Sequence, residues 1–399
     1  MADHIPFVNT DRDCVIFNKY YKDSGIIRAS LENINKIKGK LPKNIPLWID
    51  PSIDGFEHHL KNHNKKSPQY LEGIPGAMIF QNIASIKNPD AADLNLFTSN
   101  ILDKCLSFQP KWITVPLLPL ASDNSRNKIN SMLSEATFSW AKKTKFKGNF
   151  ILPIIFTNYQ QIKNKSSWRP KIDTAVKWHE KSGAKGIWIV DASLSDLKPT
   201  ATFNKRLPSL VELHVYLRET FPNDTIIAGP YWAMNLILWA KNLCDFPAVN
   251  LGTSYQYYLS GDDFRRRGKS RIAIPPLKRL VAFSPELRKW LDDVLSKLNS
   301  QDATFKYMAI VKSEVEKEFT QLGQQYDPFN EEINREQIAR FYKQWIDKIE
   351  GIPKVGRQLV LYQDFSSAFV LGKQLPNLPS SETPRKPEKV AEYFMPVCL

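Results

Sequence analysis

The feature that most constrains the fold of this chain is a series of short apolar, β-branched segments that alternate with stretches of helical spacing, such as Met132/Ala136/Trp140. Nearly continuous apolar strands separated by amphipathic helices indicate a parallel sheet covered by helices. Eight repeats favour closure into a (β/α)8 barrel of the TIM type. The predicted strands are CVIF (14–17), IPLWID (45–50), WITVPLL (112–118), FILPIIF (150–156), GIWIVD (186–191), TIIAGP (225–230), AVNLG (248–252) and RIAIP (271–275).

The loop after the first predicted strand argues against a nucleotide-binding fold of the doubly wound type. It reads NKYYKDSG and contains neither a glycine-rich dinucleotide fingerprint nor a P-loop. We therefore expect no NAD or ATP, and no other cofactor is predicted.

The spacing of the segments divides the chain into three parts. Residues 1–280 are predicted to form the barrel, with an insertion at 51–111 after the second predicted strand, over the barrel mouth. Residues 281–374 carry long charged helical patterns and are predicted to form a helical C-terminal region. Residues 375–399 begin with a stretch rich in proline, serine and charge, which predicts an extended or mobile tail.

The composition is that of a basic globular protein. Of 399 residues, 55 are Lys or Arg and 41 are Asp or Glu, giving a formal net charge of +14, while 42% are hydrophobic, which excludes a wholly disordered chain. No apolar run approaches the roughly 18–20 residues that cross a bilayer, and no secretion signal begins the chain. We expect a cytoplasmic protein without a membrane partner.

Cysteine and histidine usage predicts no metal site. The four cysteines occur singly, which indicates reduced thiols rather than a disulfide framework or a structural zinc site. The six histidines form no HxH or HExxH pattern.

The carboxylates that follow predicted strands are candidate catalytic residues. Asp50 comes directly after Trp48-Ile49, and Asp191 directly after an apolar run, so both are expected at one barrel mouth, where the site of such a barrel lies. Asp54, which lies four residues after Asp50, is the third candidate catalytic residue. Two carboxylates there are able to divide general-acid, general-base or nucleophilic roles. The alternative is that Asp50 and Asp191 merely cap the turns that follow them.

Aromatic and amide side chains at the same predicted edge are candidate substrate-binding residues. Flat rings stack on nucleobases or on sugar faces, and amides read their polar edges. The alternative is that about half of the rings belong to the core. The candidates are Tyr231, Trp232, Asn235, Tyr255, Gln256 and Asn158.

A dense basic run follows the seventh predicted strand, where barrel loops commonly hold phosphate groups. The predicted phosphate-binding residues are Arg265, Arg266, Arg267, Lys269 and Arg271. Placed beside the predicted mouth, this run indicates a nucleic-acid partner, DNA or RNA. The alternative is a solvated charged face.

Two local patterns carry a family resemblance. Asp50 is followed by Gly55-Phe56, and a late Gly229 leads through a helix to Asp245-Phe246. The combination resembles the tRNA-guanine transglycosylase superfamily and its DNA-modifying relatives. The resemblance implies a (β/α)8 barrel that exchanges a purine base through paired aspartates, with Asp50 in the position of the base-recognising or proton-transferring aspartate.

The chain departs from that family at three points. The run DPSIDGF is longer than the family's Asp-Ser-Gly-Gly-Phe, and the family's zinc cluster has no counterpart. No obvious counterpart of its nucleophilic aspartate stands on the last predicted strands, where the nearest candidates are Asn250 and the pair Asp262 and Asp263.

Three functions are therefore open from the sequence. The first is a nucleic-acid-acting barrel enzyme that performs purine base exchange or N-glycosidic bond chemistry on tRNA or DNA. The second is a non-catalytic nucleic-acid-binding or scaffold subunit of a multiprotein modification or defence system, with the C-terminal helices docking a protein partner. The third is a glycoside-cleaving enzyme, which accounts for paired carboxylates and aromatic rings but not for the net charge.

Overall fold

In the computed structural model the chain forms a closed barrel of eight parallel strands with a helical C-terminal region. The structure describes residues 3–56, 71, 73–80, 89–121, 124–194, 203–252, 257, 271–321 and 332–399. The barrel strands are β1 (Ile5–Phe7), β2 (Ile27–Ser30), β3 (Leu47–Asp50), β4 (Trp112–Thr114), β5 (Asn149–Phe156), β6 (Gly186–Asp191), β7 (Thr225–Ala228) and β8 (Phe246–Asn250).

Each strand pairs in parallel with its neighbour in the chain, and β1 closes the ring against β8 with Ile5 opposite Ala248. The helices between the strands are α1 (Asp11–Ile16), α2 (Ile34–Ile37), α3 (Ala91–Leu106), α4 (Asn124–Thr144), α5 (Lys165–Ser182), α6 (Phe203–Thr220) and α7 (Met234–Ala240). The (β/α)8 barrel predicted from the alternating pattern is thus confirmed.

Two of the eight segments predicted as barrel strands do not belong to the barrel. Residues 14–17 belong to α1 and the π-helical turn Phe17–Tyr21, because Thr10 caps the helix: its hydroxyl accepts from the Asp13 amide, and the Asp13 carboxylate accepts from the Thr10 amide. Residues 271–274 lie outside the barrel as β9 (Arg271–Ile274), paired antiparallel with β10 (Arg279–Ala282). The true β1 and β2 have only three and four residues, and the pattern did not reveal them.

Alternation along the strands separates two apolar cores. Trp48 and Trp188 point into the barrel lumen, where they pack edge-to-face with ring centroids 5.5 Å apart. Ile49 and Ile189, one residue further on, point outwards into the core shared with the helices. The same alternation decides which side chains at the end of each strand face the mouth and which face the helices.

The C-terminal region continues with α8 (Pro285–Lys297), α9 (Ala303–Gln321), α10 (Glu332–Glu350), α11 (Arg357–Gln374) and α12 (Lys389–Cys398). Its last three helices share the outer core of the barrel, and the β9–β10 hairpin builds a smaller core with α8 and α9. The expectation of an extended or mobile tail was wrong for Lys389–Cys398, which form a helix that buries Phe394. In the described part of the chain, no helix is long and apolar enough to span a bilayer.

Candidate functional site at the barrel mouth

A polar cavity of about 220 Å³ opens at the carboxyl ends of the strands, between β1, β2 and β8. Phe7 and Arg28 form part of its wall, and most of its other side chains carry an amide, a hydroxyl or a carboxylate. The remaining lining residues are Asn9, Ser30, Glu32, Asn33, Ser52, Pro230, Asn250 and Tyr257. This is the end of the barrel where the sites of (β/α)8 proteins lie.

The cavity wall depends on a buried ion pair inside the barrel. Arg28 on β2 and Asp50 at the end of β3 form a salt bridge in which each side chain is only 4% exposed. The second oxygen of Asp50, Oδ1, accepts from the Ser52 amide at 2.9 Å. Both carboxylate oxygens therefore have a donor, and the pair joins two neighbouring strands at the lumen.

Three aromatic rings surround the Arg28 guanidinium. Its central carbon lies 4.6 Å from the ring centre of Phe7, 5.1 Å from Trp188 and 5.8 Å from Tyr257. Burial alone disfavours the charged form, but Asp50, Tyr257 and Asp54 together raise the pKa of Arg28 above its ordinary value. Among the described residues its buried Nε has no hydrogen-bond partner.

Tyr257 links the loop after β8 to the third predicted carboxylate. Its hydroxyl donates to Asp54 Oδ2 at 3.1 Å, and its ring packs edge-to-face on Trp188 with centroids 5.0 Å apart. Burial, followed by the nearby Asp54, raises the pKa of the Tyr257 hydroxyl well above its ordinary value, so the hydroxyl keeps its proton. Asp50 and Asp54 thus lie directly behind Arg28 and Tyr257, along a narrow void of about 10 Å³.

Asp191 does not join Asp50 at the mouth. Its side chain follows Val190, a lumen residue, and therefore points to the outer face, where Arg206 of α6 donates from Nε to Oδ2 at 2.7 Å. The Ser193 hydroxyl donates to Asp191 Oδ1 at 2.7 Å. The expectation that both carboxylates share one mouth was wrong, because Asp50 at the end of β3 faces the lumen and Asp191 at the end of β6 faces the helices.

Three of the predicted substrate-binding residues lie in the interface between barrel and C-terminal helices. The Tyr231 hydroxyl accepts from the Asp191 amide at 2.7 Å, and Trp232 Nε1 donates to the Lys278 carbonyl at 3.0 Å. Asn235 donates to the Ala248 carbonyl at 2.6 Å and accepts from the Tyr342 hydroxyl. All three are buried, and none lines the mouth cavity.

The remaining predicted site residues are placed apart from the cavity or lie outside the described residues. Asn158 caps the short 3-10 helix after β5, and its Oδ1 accepts from the Gln161 amide at 3.3 Å. Arg271 pairs with the buried Glu382 at 3.1 Å. The residues that fall outside the described part are Tyr255, Gln256, Arg265, Arg266, Arg267 and Lys269.

Sequence reasoning missed Arg28, which pairs with Asp50 and lies beside the rings of Phe7, Trp188 and Tyr257. The alternation in Ile27-Arg28-Ala29-Ser30 would have placed Arg28 and Ser30 on one face of a strand, but these four residues were not recognised as a strand. Tyr257 was not among the predicted site residues, and Asn250 was considered only as a possible counterpart of the family's nucleophilic aspartate.

Comparison with models of known protein families and with curated proteins returns no match. Within the described residues, no group of three His, Cys, Asp or Glu side chains is arranged to hold a metal ion.

Proposed function

We propose that the barrel mouth binds a nucleobase of a nucleic acid and that the chain acts on the N-glycosidic bond of the bound nucleoside. The observation that carries the proposal is the polar cavity walled by Arg28, whose guanidinium is held in place by Asp50. A fixed guanidinium fork suits the O6 and N7 acceptors of guanine.

The size and lining of the cavity support a base-sized ligand. Its volume of about 220 Å³ lies below the roughly 300–1,000 Å³ typical of drug-sized ligands. The Phe7 and Tyr257 rings offer apolar edges, and the amides of Asn9, Asn33 and Asn250 offer both donors and acceptors. These groups match a flat molecule with polar edges better than an aliphatic one.

The carboxyl groups behind the wall supply the chemistry of the proposal. Cleavage of a glycosidic bond develops positive charge on the sugar, which a carboxylate behind the cavity wall stabilises electrostatically. Asp54 is our candidate for that role, since Tyr257 donates a hydrogen bond to one of its oxygens. Asp50 is our candidate positioning residue, because it holds Arg28 in place.

The formal charge of +14 supports a polyanionic substrate. The basic run Arg265–Arg267 follows β8 in the sequence. In this proposal the run contacts the phosphates next to the bound nucleoside.

The test is an assay of base exchange and base release on tRNA and on DNA, using labelled guanine and mass spectrometry of free bases. Asp54→Asn should lower turnover at least about 100-fold, the scale of a lost catalytic group. Asp191→Asn is the matched control, since its carboxylate faces away from the cavity, and should keep turnover per folded molecule. Unchanged turnover in both Asp50→Asn and Asp54→Asn would contradict the catalytic assignment.

A second function, nucleic-acid binding without catalysis, is favoured by one specific observation. Asp50 is held in a buried ion pair and Asp54 by Tyr257, so neither carboxylate lines the cavity directly. In this case tRNA or DNA should bind without base exchange, and affinity should fall steeply with salt. The Arg265/Arg266/Arg267→Ala triple variant should flatten that salt dependence, whereas a salt-insensitive affinity would exclude both nucleic-acid functions.

A further inference from the structure

A second and larger cavity lies in the C-terminal region, separate from the barrel mouth. It measures about 430 Å³, within the range of ligand-binding pockets. The 3-10 turn Pro275–Leu277 and the helices α9, α10 and α11 enclose it. Its apolar walls come from Pro275, Pro276, Tyr307, Phe341, Trp345 and Leu371.

The charged groups of this cavity meet at one end. Asp364 of α11 accepts from Lys348 Nζ at 2.6 Å through Oδ1 and from Trp345 Nε1 at 3.0 Å through Oδ2. Lys278 Nζ lies 3.7 Å from the same Oδ2, which is longer than a normal hydrogen bond. Asp364 is thus shared among three donors, and Lys278 is the most weakly held of them.

Lys278 is an unusual residue for a lysine. Its side chain is only 15% exposed, and its ammonium lies 5.0 Å from the ring centre of Trp345 and 5.6 Å from that of Phe341. Burial lowers the pKa of Lys278, and Asp364 offsets only part of this effect. A buried ammonium of this kind is stabilised by a further anion next to it.

We propose that this cavity binds a small aromatic monocarboxylate whose carboxylate pairs with Lys278. Two lysines and one aspartate among the lining residues leave a formal charge of +1, which a single carboxylate neutralises and a phosphate dianion exceeds. The aromatic part would lie along Tyr307 and Phe341. Tyr307 is 56% exposed at present, which a ring bound beside it would reduce.

The proposal is tested by isothermal titration of the full-length protein with 2-naphthoate and with 2-naphthamide, its neutral isostere. The wild type should bind the acid about tenfold more tightly than the amide, the scale of one charge-assisted hydrogen bond. Lys278→Met keeps the length of the side chain without its charge and should abolish this preference. Lys348→Gln is the matched control. It should reduce the preference for the acid only about twofold, because the Lys348 side chain is 52% exposed.

A second variant keeps the test decisive should Lys278→Met fail to fold. Ser367 lies exposed at the edge of the cavity on α11, so Ser367→Trp should fill the cavity without disturbing the core. Naphthoate binding should then be lost while the thermal unfolding midpoint is retained. Equal affinity for acid and amide, unchanged binding to Ser367→Trp, or no binding of naphthoate at millimolar concentration would each overturn the proposal.

Discussion

Asp50 and Asp191 end two barrel strands in nearly the same way in the sequence, yet they serve opposite faces of the sheet. Asp50 lies two residues after the lumen residue Trp48, and Asp191 lies three residues after the lumen residue Trp188. Both are buried and both are paired with an arginine. A carboxylate at the end of a strand therefore faces the mouth only if it lies an even number of residues from a lumen side chain of that strand.

The two ion pairs also differ in what surrounds them. Arg28 comes from a neighbouring strand and borders the mouth cavity, so the Asp50 pair is built into a candidate site. Arg206 comes from α6, so the Asp191 pair fixes a helix to the outside of the barrel. We therefore expect substitutions at Asp191 to change stability and substitutions at Asp50 to change ligand binding as well.

The largest expected effect is on stability. Asp191→Ala leaves Arg206 buried without its carboxylate, and should lower the free energy of unfolding by about 3–5 kcal/mol, as measured by urea denaturation. The double variant Asp191→Leu/Arg206→Met should recover most of this loss, because it removes both charges together. A cost below about 1 kcal/mol for the single variant would show that the pair does not fix α6.

The barrel could be predicted from the sequence because six long apolar segments carried most of the pattern. The total of eight was reached only because two wrong segments, 14–17 and 271–275, replaced the two missed strands. In a closed barrel each strand is hydrogen-bonded on both sides, so three or four residues are enough. Segments that short leave little periodicity in the sequence.

The site was less predictable because its contacts are distant in the chain. Asp50 and Asp54 could be found from their position after β3, but Tyr257 donates to Asp54 across 203 residues. Arg28 sits in a strand, where a charge is unexpected unless a partner is known. Trp232 and Asn235 were predicted for the mouth because the packing of the C-terminal helices against them could not be predicted from local pattern.

An intermediate effect should appear on acidification, on the helix side of the sheet. His214 lies on α6, the helix that carries Arg206, and its complete burial lowers its pKa to about 3. The unfolded chain binds a proton here below about pH 6.5, and the folded protein does not until about pH 3. Stability should therefore fall as the pH drops through this window.

His214→Leu tests this acid sensitivity. The loss of unfolding free energy between pH 7 and pH 5 should be smaller in the variant by on the order of 2 kcal/mol. His4, whose pKa burial and Lys343 lower to about 4, remains in the variant and accounts for part of the residual pH dependence. An identical pH dependence in wild type and variant would mean that His214 takes up a proton in the folded protein.

The smallest expected effect concerns the mouth itself. Tyr257→Phe keeps the ring on Trp188 but removes the hydrogen bond to Asp54, which should cost about 1.5 kcal/mol of stability, the low end for a bond to a charged acceptor. If Asp54 acts on a bound nucleoside, the same variant should lower turnover more than it weakens binding, because the hydroxyl orients the carboxylate. Tyr216→Phe removes an exposed hydrogen bond to Asp173 at 2.6 Å on the helix side and serves as the matched control. Equal effects of the two substitutions on turnover would place the Tyr257 hydroxyl among the structural groups of the barrel, and the difference between the mouth and the outer face would then rest on Arg28 and Asp50 alone.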